Sequence, residues 1–193
     1  MTIEQLAGWS ALLAAAATVV GAVFVGLFFR RGEPWGTWND IASVVLMLAM
    51  IPIALVIGTI EMERTTTIAV AVTAIGIGGM LAAAGFQAAL VARLRTYEQL
   101  LRPTLAAGAV VGVWYVLAGF LGLGGDLPQP LPWWMIAAGV GYVAIGYGFA
   151  VGGQRHRLAA LGGVTLAVAS TVFLAWLGIL LIAGKLVVPS WNA

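Results

Sequence analysis

The one cluster with the residue types for acid–base work is Glu61, Glu63 and Arg64. Paired carboxylates can divide the roles of general acid and general base. Residues two apart do not share a helix face, however, and this stretch reads as open to water. Helix ending and solvation of a loop are its expected roles. His156 is the single histidine and lies between Arg155 and Arg157; an ordinary interfacial residue is expected there, with proton sensing as the alternative. The chain has no cysteine, which removes disulfides, thiolate nucleophiles, iron–sulfur clusters and cysteine-based zinc sites. One histidine cannot supply a bis-histidine haem or a multi-histidine zinc site within the chain. With no nucleophile–base–orienter set and no phosphate loop, the expectation is no enzyme, no metal and no cofactor.

The remaining polar groups that could touch a ligand are isolated: Gln87, Tyr115, Tyr142 and Trp114, with Thr18, Ser170 and Thr171. They can bind a neutral solute or hydrogen-bond one another between helices. Pro52 interrupts its segment and could open a cavity by kinking it. Gln87 is the foremost candidate for a polar gate or ligand contact.

These groups are carried by six apolar runs, roughly 6–29, 41–60, 67–92, 104–123, 133–151 and 158–184. Each is near the ~20 residues that a helix needs to cross the hydrocarbon core. Backbone in lipid must satisfy its own hydrogen bonds, so each run is expected to be a helix. Only 8% of residues are charged, against about 25% in a soluble domain, which leaves no room for a second, soluble domain. The expected fold is therefore all-α: a single transmembrane domain spanning 1–193, a six-helix bundle. Turn-type residues after the first and fourth runs, Gly32-Glu-Pro-Trp and Gly125-Asp-Leu-Pro, hint weakly at a 3+3 inverted repeat.

The residues before the first run, Met1–Gln5, hold Glu4 and no cation, so that run reads as a retained span and not a cleaved signal. Arg30, Arg31, Arg93, Arg95, Arg102, Arg155 and Arg157 fall in one set of loops; Arg64 and Lys185 fall in the other. The positive-inside rule then places both termini on the non-cytoplasmic side of a bacterial-type inner or plasma membrane. Trp9, Trp133, Trp134 and Trp191 mark one boundary, and Trp35, Trp38, Phe28 and Phe29 the other, as an aromatic belt. Lys185 at the last turn is poorly placed for a buried Schiff base.

In the loops, Gly32 suits a helix end, and Asn39 or Asp40 a helix start. The stretch Arg93–Arg102 is expected to extend the third helix, with Pro103 opening the fourth. The three prolines of 124–132 predict a semi-rigid cap, and Gly152-Gly153 a tight turn.

The strongest pattern is of small residues. Ala71, Ala74, Gly78, Ala82, Gly85, Ala89 and Ala92 recur every three or four positions, as do Ala159, Gly163, Ala167, Thr171 and Ala175. Gly108/Gly112 and Gly148/Gly152 are further pairs. Helices in lipid join through close backbone approach, which small side chains permit. The expected function is an accessory or assembly subunit whose partners are the bilayer and either a second copy or another membrane protein; no nucleic acid is expected. The alternative is a channel or facilitator for a small neutral or apolar solute, transport through Pro52, Gln87, Tyr115 and Tyr142. Ion-driven transport ranks third, because no ionisable group falls in the middle of a span.

Overall fold

Two helices open on one local device. Thr2 and Thr96 each accept a hydrogen bond from the backbone N–H three residues on, at 3.3 and 3.4 Å, while Gln5 and Gln99 reach back to the threonine N–H at 3.2 Å. These capping boxes satisfy donors that a helix start leaves unpaired. They start helices α1 (Ile3–Arg31) and α4 (Tyr97–Leu123) of a computed structural model whose other helices are α2 (Trp35–Met62), α3 (Thr65–Val91), α5 (Leu131–Gly152) and α6 (Arg157–Ile182). The structure describes residues 2–125, 127–153, 156–186 and 188, without the side chains of Glu63 and Arg64. The roles expected of those two side chains, of Asp126, of Arg155 and of Trp191 lie outside the described residues.

All six helices are long and apolar enough to cross a membrane, and among the described residues there is no strand. This is an integral membrane protein with a six-helix bundle. α1 packs on α2 and α6, α6 on α5, α5 on α4, and α4 on the α2–α3 pair. The helices thus form a closed ring in chain order. α2 and α3 meet at Thr65, the one residue between them off helical geometry (φ −145°, ψ 64°). They fold back as a tight hairpin, with Gly58 facing Thr73. The outer surface of the ring is apolar: Val23, Phe120, Val140, Leu161, Val164 and Ile179 are all more than half exposed, as side chains facing acyl chains should be.

Several boundaries differ from the sequence reading. α2 begins at Trp35, not at Asn39 or Asp40, which lie inside the helix. The Glu33 carboxylate accepts from the Thr37 N–H and hydroxyl at 3.2 and 3.0 Å and does the capping instead. Trp35 and Trp38 therefore stand on the first turn of α2 and pack on Phe24, with ring centroids 5.7 and 6.3 Å away. Gly32 does end α1, at φ +72°, where a side chain would be strained.

The stretch Arg93–Arg102 does not extend α3. Arg93 takes φ +56°, and the Leu94 N–H turns back to the Ala89 carbonyl at 2.9 Å, a Schellman-type ending on a non-glycine residue. α4 then starts from Thr96, so Pro103 falls inside it and does not open it. Pro52 likewise sits within a continuous stretch of α2.

The ring is closed by glycines. A Cβ on Gly141 would lie 2.7 Å from the Leu166 nitrogen and 2.8 Å from the Gly162 oxygen; one on Gly162 would lie 2.7 Å from the Gly141 oxygen. α5 and α6 are in backbone contact there, and Gly112 with Gly139 does the same for α4 and α5. At the opposite seam a Cβ on Gly178 would meet the Gly8 oxygen at 2.9 Å. Gly141→Ala should destabilise the bundle by about 1–3 kcal/mol, the usual cost of overpacking, and Gly78→Ala, where nothing lies within 4 Å, should leave it unchanged or slightly firmer. Unfolding midpoints in mild detergent titrated with a denaturing one check both.

Candidate functional site

Mid-depth is filled by side chains. Tyr115 of α4, fully buried, points its hydroxyl at Ser170 of α6 (3.4 Å) and donates to the Met50 sulfur of α2 (3.6 Å). Trp114, Tyr142 and Phe173 surround it, with ring centroids 4.8, 6.2 and 5.8 Å away. Trp114, Met50 and Phe173 are all below 2% exposed. One phenol thus ties three helices together through two long hydrogen bonds and an aromatic cluster. Of the residues singled out as ligand or gate contacts, the structure brings together Trp114, Tyr115 and Tyr142.

Gln87 and Pro52 are elsewhere. Gly76 faces Trp114, and Gly79 faces Val110 and Val111; continuing that antiparallel register puts Gln87 level with Thr104, near the arginine-rich end. Both residues carry a buried side-chain oxygen without a partner. Thr18 and Thr59 turn back on their own helices, donating to Ala14 and Leu55 carbonyls at 2.9 Å each.

The two small-residue stripes behave differently from the seam glycines. Ala71, Ala74, Gly78 and Gly85 of α3 are exposed on the outside of the ring, with Ala82 half-buried beside them. A Cβ on Gly78 or Gly85 would meet nothing within 4 Å. On α6 a Cβ on Gly163 would likewise meet nothing within 4 Å, but Gly163, Ala167 and Thr171 are all half-buried. The helices that close the ring use Gly76 and Gly79 of α3 and Gly162 of α6 instead, one or two positions away.

The feature that sequence reasoning missed is Glu61. It was expected in water; it is only 5% exposed, and neither carboxylate oxygen has a hydrogen-bond partner. It lines a cavity of about 280 Å³ between the α2–α3 turn and the end of α4, together with Ile60, Thr65, Phe120, Leu121 and Leu127. The reason is topological. Thr65 lies one helical turn beyond Glu61, and the loop after α4 folds over that turn, with Leu127 3% exposed. A loop-end position on the linear chain is therefore a covered position in the bundle. The legible signal was the four-residue spacing from Ile53 through Ile57 to Glu61, which continues the inward face of α2.

No family model, curated protein or solved structure matches the chain.

Two stability measurements follow. Tyr115→Phe should cost under about 1 kcal/mol, the range found for hydrogen bonds between membrane helices, and Ser170→Ala combined with it should add less than its own single effect. Glu61→Leu, which removes an unpartnered buried polar group, should raise stability by about 1–3 kcal/mol. Unfolding midpoints of the four variants in one detergent check these values.

Proposed function

We propose that this protein is a non-catalytic membrane subunit that assembles with another transmembrane helix through the outward small-residue face of α3. The observation that carries this reading is the division of labour among small residues. The bundle closes with Gly76 and Gly79, and leaves Ala71, Ala74, Gly78 and Gly85 as a smooth open stripe. A helix that only faced lipid would gain nothing from residues that carry so little side-chain surface, whereas a docking helix gains close backbone approach and dispersion contacts.

The filled mid-depth supports this reading over a solute pathway. A facilitator needs a route through the level of Tyr115, and that level is occupied by Trp114, Met50 and Phe173. The absence of a nucleophile with a matching base among the described buried polar residues supports a role without chemistry. The distribution of arginines supports both termini facing away from the cytoplasm.

Because the natural chain has no cysteine, single cysteines give clean probes. Cysteine at Ala74 or Gly78 should crosslink to a neighbour within native membranes, to a second copy or to a different subunit, and cysteine at Val164 should do so weakly or not at all. Gly78→Leu should abolish the complex while leaving the bundle folded. A strictly monomeric particle in mild detergent, with no crosslink from any α3 position, would overturn the proposal. Cysteine at Gly32 or Arg95 should react only from the cytoplasmic side, which checks the orientation.

A further inference from the structure

We propose that the cavity beneath the α2–α3 turn binds a substituted ammonium group, with Glu61 as its counter-ion. This goes beyond assembly and depends on neither small-residue face.

The argument starts from cost. A carboxyl group removed from water and left without a partner is destabilising, and an ionised one far more so. Such groups persist where something else completes them. Among the described residues nothing does: no donor reaches either Glu61 oxygen. The space beside it is about 280 Å³, several times the ~30 Å³ share of one water, so the missing partner can be a whole small molecule or headgroup.

The walls select its chemistry. Besides Glu61, the Thr65 hydroxyl is the one other polar side-chain group on the lining among the described residues; Ile60, Phe120, Leu121 and Leu127 are apolar. A calcium or magnesium ion wants about six oxygen ligands and would find three on the described side chains, and among the described residues no group of three metal-ligating side chains is present. An anion would face the carboxylate. An alkyl- or arylammonium fits both halves: its N–H groups can donate to Glu61 and Thr65, and its apolar body can lie on Phe120, Leu121 and Leu127. Three glycines, Gly122, Gly124 and Gly125, complete the described lining and add no side chains of their own to it. The same chemistry is found in a free amine and in the headgroup of an aminophospholipid.

The test uses the full chain in nanodiscs of phosphatidylglycerol, which has no ammonium group, with benzylammonium as probe and ligand-observed NMR as readout. Wild type should bind benzylammonium saturably, and benzyl alcohol should not displace it. Glu61→Gln should bind at least about thirty-fold more weakly, as expected when one member of a buried charge pair is removed. Glu63→Gln should stay within about threefold of wild type, since residues two apart do not share a helix face. The melting temperature of Glu61→Gln should equal or exceed that of wild type, which separates lost binding from lost fold. Repeating the titration in phosphatidylethanolamine discs assigns the source: a weakened apparent affinity identifies the lipid headgroup as occupant, and an unchanged one identifies a free amine. No saturable binding by wild type, equal binding by Glu61→Gln, or an equal loss in Glu63→Gln would overturn the proposal.

Discussion

Close approach of backbones at glycine is the constraint on which this bundle depends. Water is not available to drive helices together in lipid, so association rests on dispersion contacts and on the few hydrogen bonds the helices can share. At Gly141 and Gly162 the carbonyl of each helix occupies the space where the other's Cβ would be. The same reciprocity joins Gly112 to Gly139 and Gly8 to Gly178. These seams set the order of α1, α6, α5 and α4 around the ring. Everything at the centre follows from them, because Tyr115 can reach Ser170 and Met50 only if α4, α6 and α2 converge at one level.

How far the sequence foretold this varies with the kind of information. Span number and helical class were legible because lipid permits so few backbone solutions. Boundaries were less so, since charge and turn residues mark the membrane surface and not the ends of helices; α2 and α4 both begin among polar residues. The capping of α4 was there to be read. Thr96-Tyr-Glu-Gln-Leu repeats Thr2-Ile-Glu-Gln-Leu with one change, and both open helices with the same box. The direction of the small-residue faces was beyond one-dimensional reach. Gly76 and Gly78 differ by two positions, about 200° around the helix, and only the neighbours decide which faces inward.

Glu61 shows the same limit from the other side. On the chain it neighbours Glu63 and Arg64 and looks like part of a solvated turn. In the bundle it continues the row Ile53, Ile57 that faces the core, and the loop after α4 covers it. Local composition misread the residue, because burial here is conferred by a connection some sixty positions later in the chain. Among the described residues, buried polar side-chain atoms are left without partners at Glu61 near the α2–α3 turn, at Thr73 farther along α3, and at Gln87 and Thr104 towards the arginine-rich end. A chain selected only for bundle stability would have no reason to keep a carboxylate in an apolar cavity.

The proposed assembly face and the Glu61 cavity share no residue. The α3 stripe faces outward at Gly78 and Gly85, whereas Glu61 faces inward at the α2–α3 turn. Yet both belong to one hairpin whose two arms are joined at Thr65 and touch at Gly58 and Thr73. A partner helix seated on α3 would bear on the same arm that forms one wall of the turn above the cavity. Occupation of the cavity would brace the turn from inside, and a docked helix would brace it from outside. Since each contact restrains the same hairpin, either one lowers the ordering cost left for the other. The proposed ligand site and the proposed assembly face would then be positively coupled without requiring any helix to change its place in the ring.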